Sequence, residues 1–136
     1  MKYILTTLLF FLSAVVGYCQ QRGYNGMDVS HHNGDITWEV VKRDKRIEFV
    51  YIKASEGKTY VDPTYRTNLR NARKQGLKVG SYHFFRMTSG AHEQFRHFKT
   101  VVKKEEQDLI PMVDVETNDR HPIKETRDSL RVFLRL

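Results

Sequence analysis

The stretch FVYIKASEGKTYVDPTYRTNLRNARKQGLKVGSYHFFR, residues 49–86, contains two apolar runs separated by an amphipathic segment. The first run, Phe49–Ala54, is rich in β-branched and aromatic residues and predicts a buried strand. Asp62 and Pro63 predict the start of a helix, because an acidic cap followed by proline suits the first helical turn. A strand over Leu77–Phe85 follows, so the stretch predicts a strand–helix–strand unit.

The same alternation of apolar runs and amphipathic segments continues on both sides of this unit. It predicts further strands over 24–29 and 109–115, and further helices over 38–42, from 89 or 90 onward, and over 123–136, with 55–62 as a polar loop. Such alternation is typical of an α/β fold with a parallel sheet and helices outside. Four β/α units are half of a closed eight-unit barrel. The sequence therefore predicts an incomplete TIM-like (β/α) barrel that is truncated at its C-terminal end.

The first 19 residues differ in composition from the rest of the chain. Lys2 is their only charge, and the run Tyr3–Val16 is almost entirely apolar. The run has the length of a signal-peptide hydrophobic region and is short for a membrane span. We therefore expect residues 1–19 to be a signal peptide and residues 20–136 to be the exported domain. A buried core helix is the alternative interpretation of the apolar run.

The only cysteine of the chain is Cys19, so the domain that follows it has no disulfide, as is common for proteins exported by bacteria. Lipidation of Cys19 is an alternative that would add a membrane contact, although the bulky Tyr18 before it disfavours this. Removal of residues 1–19 lowers the formal net charge from +7 to +6. A basic exported protein is attracted to anionic polymers such as cell-wall glycans. The basic residues are spread along helix-like segments, which is also typical of a solvated face, and no nucleic-acid-binding motif is present.

Polar residues follow every predicted strand, at the end where parallel α/β folds carry their active sites. In chain order they are Asp28, Ser30, His31, His32 and Asn33, then Lys53 and Glu56, then Tyr82 and His83, and finally Asp114 and Glu116. Because these strand ends meet at one rim of a parallel sheet, the pattern indicates one site built from all of them.

The central candidates are Asp114 and Glu116, which lie two residues apart in PMVDVE. Residues spaced in this way face the same side of a strand, about 6.5 to 7 Å apart. Two acids on an apolar strand are costly to bury unless they are hydrated, paired or functional, and their mutual repulsion raises one pKa. Glycosidases use a protonated and an ionised carboxyl in this way. A salt bridge to basic residues or a metal site is the alternative, since so short a motif often occurs by chance.

The residues after the first strand have two interpretations each. Asp28 is either a turn cap, with Ser30 and Asn33 shaping the loop, or part of a site. His31 and His32 are adjacent, so we expect their side chains to diverge. Two such histidines are a poor metal pair without a third ligand, and a surface loop is the favoured interpretation.

The remaining candidates also have structural alternatives. Glu56 is either a loop residue or a substrate contact, and Tyr82 is either structural or a platform for sugar. His83 alternates with apolar neighbours, which favours a buried core histidine over a ligand contact. Trp38 is expected in the core. The sequence has no recognisable Ser/His/Asp arrangement, phosphate-binding glycine loop, zinc spacing or dinucleotide fingerprint.

Taken together, the segments GMDVSHHNGDITW, FVYIKASEGKTYVDPTYRTNLRNARKQGLKVGSYHFFR and PMVDVE resemble the family 25 glycoside hydrolases. Members of this family are lysozyme-like muramidases that cleave the β-1,4 bond between N-acetylmuramic acid and N-acetylglucosamine in peptidoglycan. The resemblance covers residues 24–117, with the motifs in the expected order and spacing. It implies a modified β/α barrel with a groove at the strand C-termini, and neither a metal nor an organic cofactor. Family domains usually continue well past the last of these motifs.

The resemblance also implies roles for individual residues. Glu116 is expected to be the general acid, Asp114 to polarise the reacting centre, and Asp28 to be a further catalytic acid at the groove floor. The residues expected to bind sugar are Glu56, Tyr82 and His83. The implied partner is peptidoglycan, and the implied location is the periplasm, the cell envelope or the extracellular space. The alternatives are a non-catalytic peptidoglycan-binding protein and an inactive fragment of a muramidase.

Overall fold

The computed structural model describes residues 25–136, and the predictions for the signal peptide and for Cys19 lie outside the described residues. Four parallel strands, β1 (Asn25–Val29), β2 (Ile47–Glu56), β4 (Lys78–Phe84) and β5 (Met112–Asp114), form a sheet in the order β1-β2-β4-β5, and β3 (Tyr60–Val61) pairs antiparallel with β2. The helices are α1 (Trp38–Val41), α2 (Tyr65–Lys74), α3 (Ala91–Val101) and α4 (Ile123–Phe133), with 3-10 helices at His31–Asn33 and Lys104–Glu106. The described residues form the predicted α/β half-barrel.

The hydrophobic core lies between the sheet and its helices. Every second residue along β2 and β4 points into it, and Val50, Ile52 and Val79 are fully buried. Burial of one such aliphatic side chain stabilises the fold by about 1.5–3 kcal/mol. The residues that complete the core include Trp38 of α1, as predicted, Leu69 and Ala72 of α2, Phe98 of α3 and Phe133 of α4.

The opposite, concave face of the sheet carries aromatic rings that lie close to glycines. A Cβ atom on Gly80 would lie 2.5 Å from the ring of Tyr51, and one on Gly26 would lie 2.1 Å from the ring of Phe49. These approaches are shorter than van der Waals contact, so only glycine fits at either position. The two rings pack edge to face, at an interplanar angle of 84°, on the concave face that leads to the polar rim at the strand C-termini.

Two predicted boundaries between β2 and α2 need correction. The segment 55–62, expected to be a loop, contains β3, which folds back on the end of β2 through a turn with Gly57 at a φ of 53°. Helix α2 begins at Tyr65 and not at Pro63. The carboxylate of Asp62 accepts hydrogen bonds from the backbone N–H and the hydroxyl of Thr64, at 2.9 and 2.7 Å, so these residues form a turn before the helix.

The predicted boundaries near the C-terminal end also differ from the structure. Strand β5 has three residues where the sequence predicts a strand over 109–115. It pairs only with β4, and Pro111 has no N–H to donate, so fewer ladder hydrogen bonds form. Ile110, two residues before the strand, is 85% exposed. Helix α4 ends at Phe133, three residues before the predicted end.

An apolar cleft of about 940 Å³ lies beside β5, between α3 and α4. Exposed apolar side chains at its margin include Ile110, Leu134 and Leu136. None of the helices within residues 25–136 has the length and apolar character needed to cross a membrane.

Candidate active site

The acid pair lies at the C-terminal end of β5. Asp114 is the last residue of the strand and pairs in register with Phe84, while Glu116 follows in the next loop. The pKa of Asp114 is raised by burial and, next, by the negative charge of Glu116 and a side-chain hydrogen bond with it. Asp114 therefore keeps its proton to a higher pH than an isolated aspartic acid does. While it is protonated, the carboxyl of Asp114 can donate a hydrogen bond to Glu116.

Tyr82 lies between this pair and Asp28. Its side chain is buried, and its pKa is raised to about 12, first by burial and then by the negative charges of Asp28 and Asp114. A hydrogen bond with Ser30 opposes the shift. The phenol therefore stays protonated and can donate a hydrogen bond at any physiological pH. The structure thus brings Asp28, Tyr82, Asp114 and Glu116 together at one rim.

Glu56, the last residue of β2, is the centre of an ion-pair network at the same rim. Its Oε2 lies 2.7 Å from Nζ of Lys53, and its Oε1 lies 3.0 Å from Nε of Arg86. The ammonium of Lys53 also lies 4.6 Å from the ring centroid of Phe84. Both oxygens of Glu56 are thereby held in place, with 24% of the side chain exposed.

His83 lies on the other side of the sheet, so the prediction that it contacts sugar is wrong. Its ring is fully buried, with Nδ1 at 2.9 Å from Oγ of Ser55 and Nε2 at 3.1 Å from Oε1 of Gln94. The ring stacks on Phe133, and burial lowers its pKa to about 4. Because adjacent strand residues face opposite sides, Tyr82 and His83 cannot both face the groove. The alternative of a core histidine is the one that the structure supports.

The loop after β1 differs from its prediction in one respect. Ser30 and Asn33 shape it as expected, since Oγ of Ser30 accepts from the N–H of His32 and Oδ1 of Asn33 accepts from the N–H of Ser30. The cap is therefore Ser30, and Asp28 remains exposed at the strand end. The histidine rings do not diverge, because the 3-10 turn brings the ring centroids of His31 and His32 within 3.9 Å.

Two residues that the sequence analysis missed, Arg86 and Asp119, link separate segments of the rim. Arg86 pairs with both Glu56 and Asp119, the latter at 3.2 Å. Asp119 also accepts a hydrogen bond from the N–H of Met87 at 2.7 Å, and its φ of 48° lies in the left-handed region. These contacts tie the loop that carries Glu116 to the end of β4. No local pattern predicts a contact between positions 33 residues apart.

The arrangement offers a carboxyl with a raised pKa, an exposed acid and a protonated phenol around one groove. Such groups can donate a proton to a leaving oxygen and stabilise positive charge that develops beside it. Within residues 25–136, no three His, Cys, Asp or Glu side chains are grouped so as to hold a metal ion.

A parallel half-barrel with carboxyl groups at its C-terminal rim is the arrangement found in β/α-barrel glycoside hydrolases, although barrel enzymes of other classes share it. The profile of the glycosyl hydrolases family 25 matches residues 27–136, and the chain belongs to this family. The resemblance seen in its motifs is therefore confirmed.

Curated relatives match most of this chain but less than half of their own length. The Escherichia coli K12 protein YegX is 33% identical over 116 residues, which are 82% of this chain and 43% of YegX. The autolytic lysozyme of Clostridium acetobutylicum is 33% identical over 108 residues, 79% of this chain and 33% of that enzyme.

Solved structures also match most of this chain, over about half of their own length. A family 25 glycosyl hydrolase from Bacillus anthracis is 36% identical, with a TM-score of 0.74 over 81% of this chain and 52% of that one. The bacterial lysozyme from Streptomyces coelicolor is 31% identical, with a TM-score of 0.69 over 79% of this chain and 54% of that one. The half-barrel is thus the fold of these enzymes over the part that the chain covers.

Proposed function

We propose that the whole protein is a muramidase that hydrolyses the β-1,4 bond between N-acetylmuramic acid and N-acetylglucosamine in peptidoglycan. The observation that carries the proposal is the hydrogen-bonded pair of Asp114 and Glu116 beside Asp28 and Tyr82. Relatives named as lysozymes support it, among them lysozyme M1 of Streptomyces globisporus, which is 42% identical over 71 residues.

In the proposed reaction, Glu116 is the general acid and donates the proton of the acid pair to the leaving glycosidic oxygen. Positive charge then develops on the sugar as the glycosidic bond breaks. Asp114 is left as a carboxylate and stabilises that charge, with Asp28 as a further acid at the groove floor. Water completes the hydrolysis and returns a proton to the pair.

Tyr82 and Glu56 are the proposed sugar contacts. The phenol of Tyr82 remains a donor because its pKa is about 12. Glu56 is held by Lys53 and Arg86, which supports a role in shaping the groove as well as in contacting sugar. His83 has no part in this proposal, since both of its nitrogens are bonded inside the core.

Export to the periplasm, the envelope or the extracellular space is part of the same proposal, because peptidoglycan lies there. The apolar run Tyr3–Val16 supports a signal peptide over residues 1–19, with lipidation of Cys19 as the membrane-bound alternative. Mass spectrometry of the exported chain tests this. A chain beginning at Gln20 is expected, whereas an acylated Cys19 at the N-terminus indicates the lipoprotein and an intact Met1 contradicts both.

The test of activity compares the purified chain with its Glu116→Gln variant on peptidoglycan and follows new reducing ends. Loss of a general acid should lower the rate by about 10²–10⁴-fold. Glu125→Gln is the matched control, since Glu125 lies exposed on α4. Equal rates for the chain and Glu116→Gln would contradict the assignment. A chain that sediments with peptidoglycan without hydrolysing it would favour the non-catalytic binding protein.

A further inference from the structure

A second polar cluster lies at the rim, apart from the acid pair, and the proposed chemistry does not use it. Nδ1 of His31 lies 2.8 Å from Oδ2 of Asp62, and the backbone N–H of His31 donates to the same oxygen at 3.0 Å. The two residues are 31 positions apart in the chain, one after β1 and the other before α2. The fold brings them together to form a histidine–carboxylate pair.

Asp62 is a buried acceptor whose two oxygens are fully used. Oδ2 accepts the two bonds from His31, and Oδ1 accepts two from Thr64, at 2.9 and 2.7 Å. The side chain is fully buried, which by itself would raise the pKa, but the hydrogen bonds from His31 and Thr64 outweigh burial and lower it. Asp62 is therefore ionised at neutral pH and can only accept.

This arrangement decides which nitrogen of His31 carries the proton. Because a carboxylate cannot donate, Nδ1 must donate to it, and in the neutral ring Nε2 then presents a lone pair. The hydroxyl of Tyr60 lies 3.3 Å from Nδ1 and 3.5 Å from Nε2, so its contact with Nε2 is at the outer limit of hydrogen bonding. With 30% of the His31 side chain exposed, the ring is accessible to a ligand.

Aromatic rings surround this acceptor. The centroid of the His32 ring lies 3.9 Å from that of His31, and the centroid of the Tyr60 ring lies 5.9 Å from it. Tyr60 is 39% exposed. An exposed ring nitrogen between aromatic rings combines one hydrogen-bonding group with an apolar surface, and such a surface suits the mixed polar and C–H faces of a sugar.

The cluster belongs to the same groove as the acid pair. Ser30 is next to His31 in the chain, and Tyr82 lies close enough to Ser30 and Asp62 for both to affect its pKa. His31 follows β1 and Glu116 follows β5, and these strands are the two ends of the order β1-β2-β4-β5. A glycan strand that crosses the rim would therefore pass both the cluster and the acid pair.

We propose that His31 contacts the glycan at a subsite away from the scissile bond, where Nε2 accepts a hydrogen bond from the amide N–H or a hydroxyl of a hexosamine. Asp62 is the positioning residue that holds the ring and its tautomer, and Tyr60 and His32 pack against the sugar. The inference rests on the proposed function, since the ligand is the glycan of peptidoglycan.

Binding is measured in the Glu116→Gln chain with a soluble tetrasaccharide of alternating N-acetylglucosamine and N-acetylmuramic acid, which this chain does not cleave. Adding His31→Ala should weaken binding roughly 5- to 10-fold, as expected for one hydrogen bond with its packing. His92→Ala is the matched control, because His92 lies exposed on α3, and it should bind as the parent does.

A spectroscopic measurement separates contact with sugar from a structural effect. In the Glu116→Gln chain, which is the parent of these variants, the nitrogen-15 shifts of His31 should show the proton on Nδ1. The Nε2 signal should move on titration with the tetrasaccharide. Asp62→Asn should give a mixture of tautomers and weaker binding. An unmoved Nε2 signal together with unchanged binding of His31→Ala would overturn this inference and leave the proposed function unaffected. A parent chain that binds no tetrasaccharide would overturn the proposed function as well.

Discussion

Asp62 and Asp114 lie at the same rim and have the same side chain, yet the structure shifts their pKa values in opposite directions. Asp62 accepts four hydrogen bonds from His31 and Thr64, and its pKa is lowered although burial opposes this. Asp114 is partly buried beside the carboxyls of Glu116 and Asp28, and its pKa is raised. The hydrogen-bond donors around a carboxyl therefore affect its pKa more than its position at the rim does.

Under the proposed function, Asp62 holds a neighbouring side chain in place, whereas Asp114 takes part in the reaction. A carboxylate with all its lone pairs occupied is held in one place and has no proton to give. A carboxyl that shares a proton with a neighbouring acid has one available for transfer. The predictions below test whether the two aspartates differ in this way, with amide substitutions that preserve shape.

The largest expected difference is in the rate of hydrolysis. Asp114→Asn should lower kcat about 100-fold with little change in KM, because it removes a charge that acts on the transition state. Asp62→Asn should act mainly on KM, through the ring of His31. The measurement is kcat and KM on soluble peptidoglycan fragments. If a folded Asp62→Asn variant lost as much kcat as Asp114→Asn does, the proposed difference between the two aspartates would be contradicted.

The next effect concerns stability, where Asp62→Asn should lower the free energy of unfolding by about 2–3 kcal/mol at pH 7. An amide replaces one acceptor oxygen with a donor that faces the donors of His31 or Thr64. Because the pKa of Asp62 is lowered from 3.8, its contribution is complete above that value and is lost as pH falls through the folded pKa.

Urea midpoints between pH 2 and 7 measure this effect, so the deficit of Asp62→Asn should shrink in acid. Asp44→Asn is the control, since the pKa of Asp44 is also lowered, to about 2, by hydrogen bonds from Arg46. That ion pair is at the surface, so the variant should unfold at nearly the same midpoint as the parent. A deficit of Asp62→Asn that stays constant with pH would show that packing, not charge, is lost.

The smallest expected effect is an increase in the free energy of unfolding. Asp114→Asn should raise the stability at pH 7, by up to about 1 kcal/mol, because it removes repulsion between partly exposed acids. The pKa of Asp114 is raised above 3.8. The destabilisation of the fold by its carboxylate is therefore absent below that value and grows as pH rises through the folded pKa. The same urea series measures it. A destabilised Asp114→Asn at pH 7 would mean that the carboxylate has a favourable partner.

Short-range patterns in the sequence determined much of this molecule. Apolar periodicity and turn residues predicted the parallel strands and the helices, and the strand C-termini located Asp28, Tyr82, Asp114 and Glu116 at one rim. The alternation along β4 already favoured a core role for His83. Such features depend on neighbours within a few residues, so the order of residues is enough to predict them.

Only the tertiary structure decided which groups satisfy one another. It paired His31 with Asp62, Glu56 with Lys53 and Arg86, and Ser55 with His83. It also shortened β5, because a strand with one partner forms fewer hydrogen bonds than its composition suggests. The lowered pKa of Asp62 follows in part from its distant contact with His31, whereas the raised pKa of Asp114 follows from burial and from its near neighbour Glu116. The sequence therefore identified the acids of the rim, and the fold set their pKa values.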